Sequence, residues 1–290
     1  MTKNQAPSGL VHQYAPRRPK GRLAFHVFAG SVALVFLLPF VWMIYVSLQT
    51  PGVTLPRGFE GFSLPNAWHN YARIFEMLPL GRYLFNSFLV TGLAVPLTLI
   101  TASWAGFALT QLSARWRRRL ILVSVGALLA PLTALWLTHL VLFTWLGLIN
   151  TYGALLAPAL MGSNPLFVLL FYWAFRRIPV EIFESARLDG AGVWLTWRLI
   201  ALPLVRPALL AIGVLTFLSY WSDFIHPLLY LKSQALYTLP LGLRQLQQLD
   251  QTQWPLLMAG AVVMTLPPVL LFLIVQHYFL QARWFSAIEH

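Results

Sequence analysis

Cysteine is absent from all 290 residues, and only eight side chains are carboxylates. The first absence excludes a disulfide framework, thiol chemistry and any cysteine-based metal site. The second belongs to a chain that is 58% hydrophobic and only 10% charged, against about 25% charged in an average soluble domain. So few charges do not solvate a globule of this size. No Gly-x-x-x-x-Gly-Lys-Ser/Thr phosphate loop occurs, so ATP and magnesium have no evident site in this chain. No Ser-His-Asp set or carboxylate pair stands out, and the seven histidines lack helical i, i+4 partners. Neither catalytic nor metal-ligating residues are therefore expected.

What the chain has is apolar length. Six runs, roughly 24–46, 83–111, 120–143, 154–175, 207–231 and 254–280, each suffice to cross a hydrocarbon core of about 30 Å. These predict an all-α membrane protein with six transmembrane helices. The 1–23 segment reads as a polar tail, and the first run exceeds a signal-peptide core with no small-x-small site closing it, so a retained helix is expected. Prolines 39, 96, 131, 267 and 268 fall inside runs, where neighbouring helices can re-satisfy the freed backbone groups. Kinks rather than breaks are expected there.

The net charge of +12 is scattered in short clusters between runs, which is a topology signal and not a nucleic-acid face. With the N-terminus inside, segments 1–23, 112–119, 176–206 and 281–290 hold fifteen of the twenty Lys and Arg residues. The positive-inside rule then places both termini in the cytoplasm.

The connection from Arg176 to Arg206 carries the most information. Pro179 suits a helix start, and Glu181 and Glu184 lie in early turns, where carboxylates meet the helix dipole favourably. Asp189 is placed to cap a second helix through its side chain, Gly190 supplies the bend, and the second helix is expected to stop before Pro203. Two short helices at an angle make either a compact knob or an amphipathic hairpin lying on the headgroups.

The spelling of this loop resembles the EAA-type loop of binding-protein-dependent ABC importers. The matching residues are Glu184, Ser185 and Ala186, then Asp189, Gly190 and Ala191, then Leu202 and Pro203. Further likeness to the carbohydrate-uptake branch runs from Asn86-Ser87 through Gly106–Leu109, Leu146–Thr151, Leu215–Phe217, Trp221–Phe224 and Gln276–Phe279. The chain most resembles the smaller permease of maltose-type importers, with Ser185 and Ser222 standing where alanine and asparagine are usual. The resemblance implies a permease domain over 24–290 in a bacterial or archaeal cytoplasmic membrane. Its implied partners are a second permease, two ATPase subunits that bind ATP and magnesium, an extracytoplasmic binding protein and membrane lipid. The loop around Glu181, Glu184, Asp189 and Gly190 would dock on an ATPase. The implied cargo is a sugar or oligosaccharide, with a polyol phosphate or other small solute as the alternative. An ion-coupled secondary transporter would leave the loop unexplained.

A translocation-pathway candidate is Tyr220, Trp221 and Asp223. Asp223 is the only carboxylate inside a predicted span, and it lies about 24 Å along a helix from Pro207, near the outer boundary. Tyr220 and Trp221 offer aromatic surface on which sugars stack. Equally, they fit an interfacial belt with Asp223 bonded structurally to a neighbouring helix.

Overall fold

The computed structural model describes residues 22–52, 66–162, 164–249 and 253–286. The tail with Arg17, Arg18 and Lys20, and the loop bearing Arg57, lie outside them. Every regular element among the described residues is helical. In chain order they are α1 (Arg22–Ser47), α2 (His69–Met77), α3 (Leu80–Gln111), α4 (Ala114–Leu129), α5 (Leu132–Trp145), α6 (Tyr152–Leu160), α7 (Pro165–Phe175) and α8 (Val180–Leu188). There follow α9 (Val193–Leu204), α10 (Arg206–Trp221), α11 (Ile225–Tyr230), α12 (Leu239–Leu249) and α13 (Trp254–Ser286). A 3-10 turn covers Gln234–Leu236.

The chain divides into two units, residues 1–42 and 43–290. In the first, the described part of α1 exposes Phe25, Phe28, Leu34, Phe36 and Leu38. Apolar side chains around all sides of a helix suit lipid.

In the second unit α3 is the pillar, 32 residues or about 48 Å long. Its final turns join Phe167, Phe171 and Phe175 of α7 and Trp197 and Ala201 of α9 in one buried cluster. Its start contributes Leu80 and Tyr83 to a second cluster with Ile74 of α2, Trp221 of α10, Leu243 and Leu246 of α12 and Leu256 of α13. Midway, Val90 meets Phe143 of α5, Ala154 of α6 and Tyr230 of α11 in a third. Polar staples complete the frame. The Asn86 amide donates to the carbonyls of Ala235 and Tyr237 at 2.9 Å each, and Ser87 Oγ accepts from Leu239 N–H at 2.8 Å. Asn150, held at φ +62°, accepts from Lys232 and Ser233 N–H through Oδ1.

Among the described residues, four stretches are long and apolar enough to cross a membrane, and two bent pairs bring the total to as many as six. The prolines divide as follows. Pro39, Pro96, Pro267 and Pro268 lie inside continuous helices. Pro131 instead breaks its run, and α4 and α5 meet at 101°. The cause is local: Ala130, ahead of the pyrrolidine ring, is driven to extended backbone at φ −69°, ψ 131°, which ends α4. The 154–175 run is also interrupted, with Gly162 at φ +57° and Asn164 capping α7 by accepting Leu166 N–H at 3.1 Å. The 207–231 run ends as a continuous helix at Trp221.

Candidate functional site

The Arg176–Arg206 connection folds as two helices with a sharp bend. Pro179 stands immediately before α8, Glu181 occupies its first turn and Arg187 its last, so both charges favour the dipole. The bend is built from three backbone bonds. Asp189 N–H reaches Ser185 O at 3.0 Å, Gly190 N–H reaches Arg187 O at 3.0 Å, and Ala191 N–H reaches Ala186 O at 2.9 Å. With Gly190 at φ +79° this is a Schellman stop.

Two expectations are corrected here. Asp189 does not cap the second helix; it is the C-cap residue of α8, and α9 starts after Gly192 without a side-chain cap. Asp189 is four residues ahead of Val193, too far to reach the first free N–H groups of α9. Nor does the second helix stop before Pro203. Residues Thr196–Ala201 widen into a π-turn in which Leu202 N–H bonds Trp197 O. That widening lets Leu202 and Pro203 continue the helix to Leu204 without the usual ring–carbonyl conflict.

The unit has an inner and an outer face. Ala186 and Trp197 are buried, Phe183, Ala191, Leu202 and Pro203 half-buried. Glu181, Glu184, Ser185, Asp189 and Gly190 are exposed, and Leu188 at the tip is 89% exposed. The outer face thus presents carboxylates on either side of a bare leucine. The inner face grips the end of α3. Phe183 lies 6.0 Å from Phe107, Trp197 lies 5.0 Å from Trp104 edge-on, and Arg187 Nη2 donates to Gln111 Oε1 at 2.6 Å. The sequence singled out the loop and the Gly106–Leu109 stretch of α3 separately, but not their contact or the part of Trp104 and Gln111 in it.

The second candidate group does not form one shared surface: Asp223 lies within electrostatic reach of Tyr220, while Trp221 is buried in the core. Trp221 is 1% exposed, lies 4.8 Å from Phe88 and 5.5 Å from Phe217, and donates its indole N–H to Met264 O at 2.9 Å. It is core, so neither a stacking surface nor an interfacial belt describes it. Tyr220 is half-buried against the Val90–Phe143–Tyr230 cluster. Asp223 lies past α10, where Oδ1 accepts His226 N–H at 3.2 Å and Oδ2 pairs with His226 Nδ1 at 2.9 Å. Its bonds stay within the next short helix of its own chain. The hydrogen bond to Asp223 raises the His226 pKa while burial opposes it. The pair therefore contributes stability that is complete below the ordinary imidazole pKa and fades as pH climbs through the raised one.

An open groove of about 510 Å³ is lined by Phe224, next to Asp223 in the chain, and by Pro240, Leu243, Arg244, Gln247 and Leu257. The Arg244 guanidinium sits 5.5 Å from the Phe224 ring centre. No three His, Asp or Glu side chains converge as a metal site among the described residues.

Asp223→Ala should remove the carboxylate that bonds His226 N–H and Nδ1 at the start of α11, costing about 1 kcal/mol, and lower the melting temperature of the purified assembly. Apparent uptake affinity should stay unchanged, and Asp223→Asn should recover most of the loss. An affinity or cargo change at full stability would instead put Asp223 on the pathway.

Known proteins resemble this chain over most of its length. The arabinooligosaccharides transport system permease protein AraQ of Halalkalibacterium halodurans is 30% identical over 86% of this chain and 90% of its own length. The trehalose/maltose transport system permease protein MalG of Thermococcus litoralis is 28% identical over 92% and 97%. In fold, the chain superposes on a solved bacterial ABC transporter involved in import of the acidic polysaccharide alginate. There the TM-score is 0.71, the identity 22%, and the match covers 89% of this chain and 95% of that one. Residues 82–284, which span the α3 pillar, the two-helix loop and most of α13, match one family throughout, and the chain belongs to it: the binding-protein-dependent transport system inner membrane components.

Proposed function

We propose that the chain is one of two permease subunits of an ATP-driven importer that carries a sugar or oligosaccharide. An extracytoplasmic binding protein delivers the cargo to the outer face of the permease pair. The chain crosses the membrane six times, each bent helix pair counting as one crossing, with both termini in the cytoplasm. The carrying observation is the two-helix loop, anchored on α3 by one face and presenting Glu181, Glu184, Leu188 and Asp189 on the other. Two ATPase subunits supply the stroke, and this loop is the contact with one of them. Placement of the loop in the cytoplasm is supported by the arginines around it. The sugar cargo is supported by the relatives named for arabinooligosaccharides and for trehalose and maltose.

In the reconstituted importer, uptake should cease when ATP is depleted and continue when the proton gradient is collapsed at constant ATP. Uptake that follows the proton gradient would overturn the reading.

The docking role predicts a backbone effect at the bend. A Cβ on Gly190 meets nothing within 4 Å, so any penalty there comes from φ +79° alone. Gly190→Val should cost about 1 kcal/mol or more and reduce co-purifying ATPase, whereas Gly190→Asn, which tolerates left-handed backbone, should retain it. Equal ATPase retention in both variants at full uptake would remove the bend from the docking site.

A further inference from the structure

The two-helix loop continues along the chain into α10, and it also meets the end of α3 through a set of aromatic rings and one side-chain hydrogen bond. Trp104, Phe107 and Gln111 lie at i, i+3 and i+7, one stripe on the last two turns of α3. Phe183 and Arg187 lie at i, i+4 on α8 and meet that stripe, Phe183 at Phe107 and Arg187 at Gln111. Trp194 and Trp197 of α9 close on Trp104 at 5.2 and 5.0 Å. The crevice left between the parts, lined by Phe107, Gln111, Phe183, Arg187, Ala191, Val193 and Thr196, measures only about 50 Å³.

The junction with α10 is different in kind. The π-turn Thr196–Ala201 comes first, then Val205 at φ −103°, ψ 23°, and α10 leaves at 85° to α9. A push along α9 therefore meets an elbow before α10, and it meets the Trp104 ring at α3 through Trp194 and the buried Trp197.

We propose that Trp104, Phe107 and Gln111 are the receiving stripe of the permease. In this scheme Phe183 and Arg187 are positioning residues that make the loop and α3 a single moving body. This rests on the reading above that the loop takes the push of an ATPase. Because α3 contributes to all three buried clusters, displacing its loop-facing end carries the movement to the opposite end of the pillar. The Arg187–Gln111 bond is exposed and lies outside the buried clusters, so its removal leaves the core intact and tests transmission more than folding.

The experiment uses the whole importer in liposomes, with Arg187→Ala, Gln111→Ala and the double variant. ATPase co-purification should be unchanged, while ATP hydrolysed per solute imported rises about two- to tenfold, the range set by one hydrogen bond. The double variant should be no worse than either single one. An unchanged ratio in both single variants, or a double variant that sums them, overturns the proposal. A failure of the docking reading shows separately, as full ATPase retention in Glu184→Lys. Rescue gives a second arm. Because the chain has no cysteine, Gln111→Cys with Arg187→Cys can be joined by a short cleavable thiol linker, in partner subunits stripped of cysteine. The unlinked pair should be uncoupled, and linking should restore coupling. Linked complexes that stay uncoupled, or that lose uptake until the linker is cleaved, would mean that the loop and α3 part during the cycle.

Discussion

Gly106→Leu should leave almost no assembled permease. A Cβ at Gly106 lies 2.7 Å from Phe171 Cβ, 2.9 Å from Tyr172 N and 2.9 Å from Val168 O. Two of these three atoms are backbone of α7, so no rotamer change relieves the conflict, and α3 and α7 must separate. Small residues permit such close crossings between membrane helices, whose association depends on van der Waals contact. Overpacking by even one methyl costs about 1–3 kcal/mol, which is the expectation for Gly106→Ala; leucine adds three more carbons at the same point. Gly92, on the same helix, has nothing within 4 Å of its Cβ position. Gly92→Ala should be neutral, or stabilising by up to about 1 kcal/mol through helix propensity. The measurement is the yield of monodisperse complex and its melting temperature in detergent. Wild-type values for Gly106→Leu would remove the close α3–α7 crossing.

The contrast between these two glycines shows which parts of the fold were legible. Apolar length is a local, additive property, so the runs marked membrane-crossing stretches directly. The breaks depend on backbone detail. Pro131 and Pro96 look alike in hydropathy, but α3 continues through Pro96 while the backbone ahead of Pro131 turns extended. At the bend, Asp-Gly suits the start of the next helix as well as the stop of the previous one. What decides is the bond from Ala191 N–H back to Ala186 O, which has no counterpart in side-chain pattern.

The loop was visible because its residues are contiguous. Its contact with α3 was not, since Gln111 and Arg187 are 76 positions apart and, Phe107 within the Gly106–Leu109 stretch aside, the i, i+3, i+7 stripe on α3 looks like any helix face. Asp223 drew attention as a carboxylate within an apolar run, where an unpaired charge is costly. With α10 ending at Trp221 and His226 three residues beyond Asp223, that charge has a local partner.

Trp221 was the least legible residue, and it supports the second large prediction. Pro268 has no N–H, so the carbonyl of Met264, four residues earlier in α13, loses its usual helical donor. The Trp221 indole supplies that donor at 2.9 Å from α10. Replacing a buried tryptophan by alanine costs about 3–5 kcal/mol in soluble cores. Within a bilayer the water-transfer part shrinks, but the lost contacts with Phe88 and Phe217 and the orphaned carbonyl remain. Trp221→Ala should therefore lower the melting temperature of the complex sharply. Trp221→Phe keeps much of the ring packing and removes the donor, at about 1–2 kcal/mol. Pro268→Ala restores a backbone N–H four residues beyond Met264, able to satisfy that carbonyl within α13. In the Pro268→Ala background the Trp221→Phe penalty should shrink by about 0.5 kcal/mol or more, outside the range of independent sites. Strict additivity of the two substitutions would show that the indole is held by packing alone, and that the Met264 carbonyl finds its donor elsewhere.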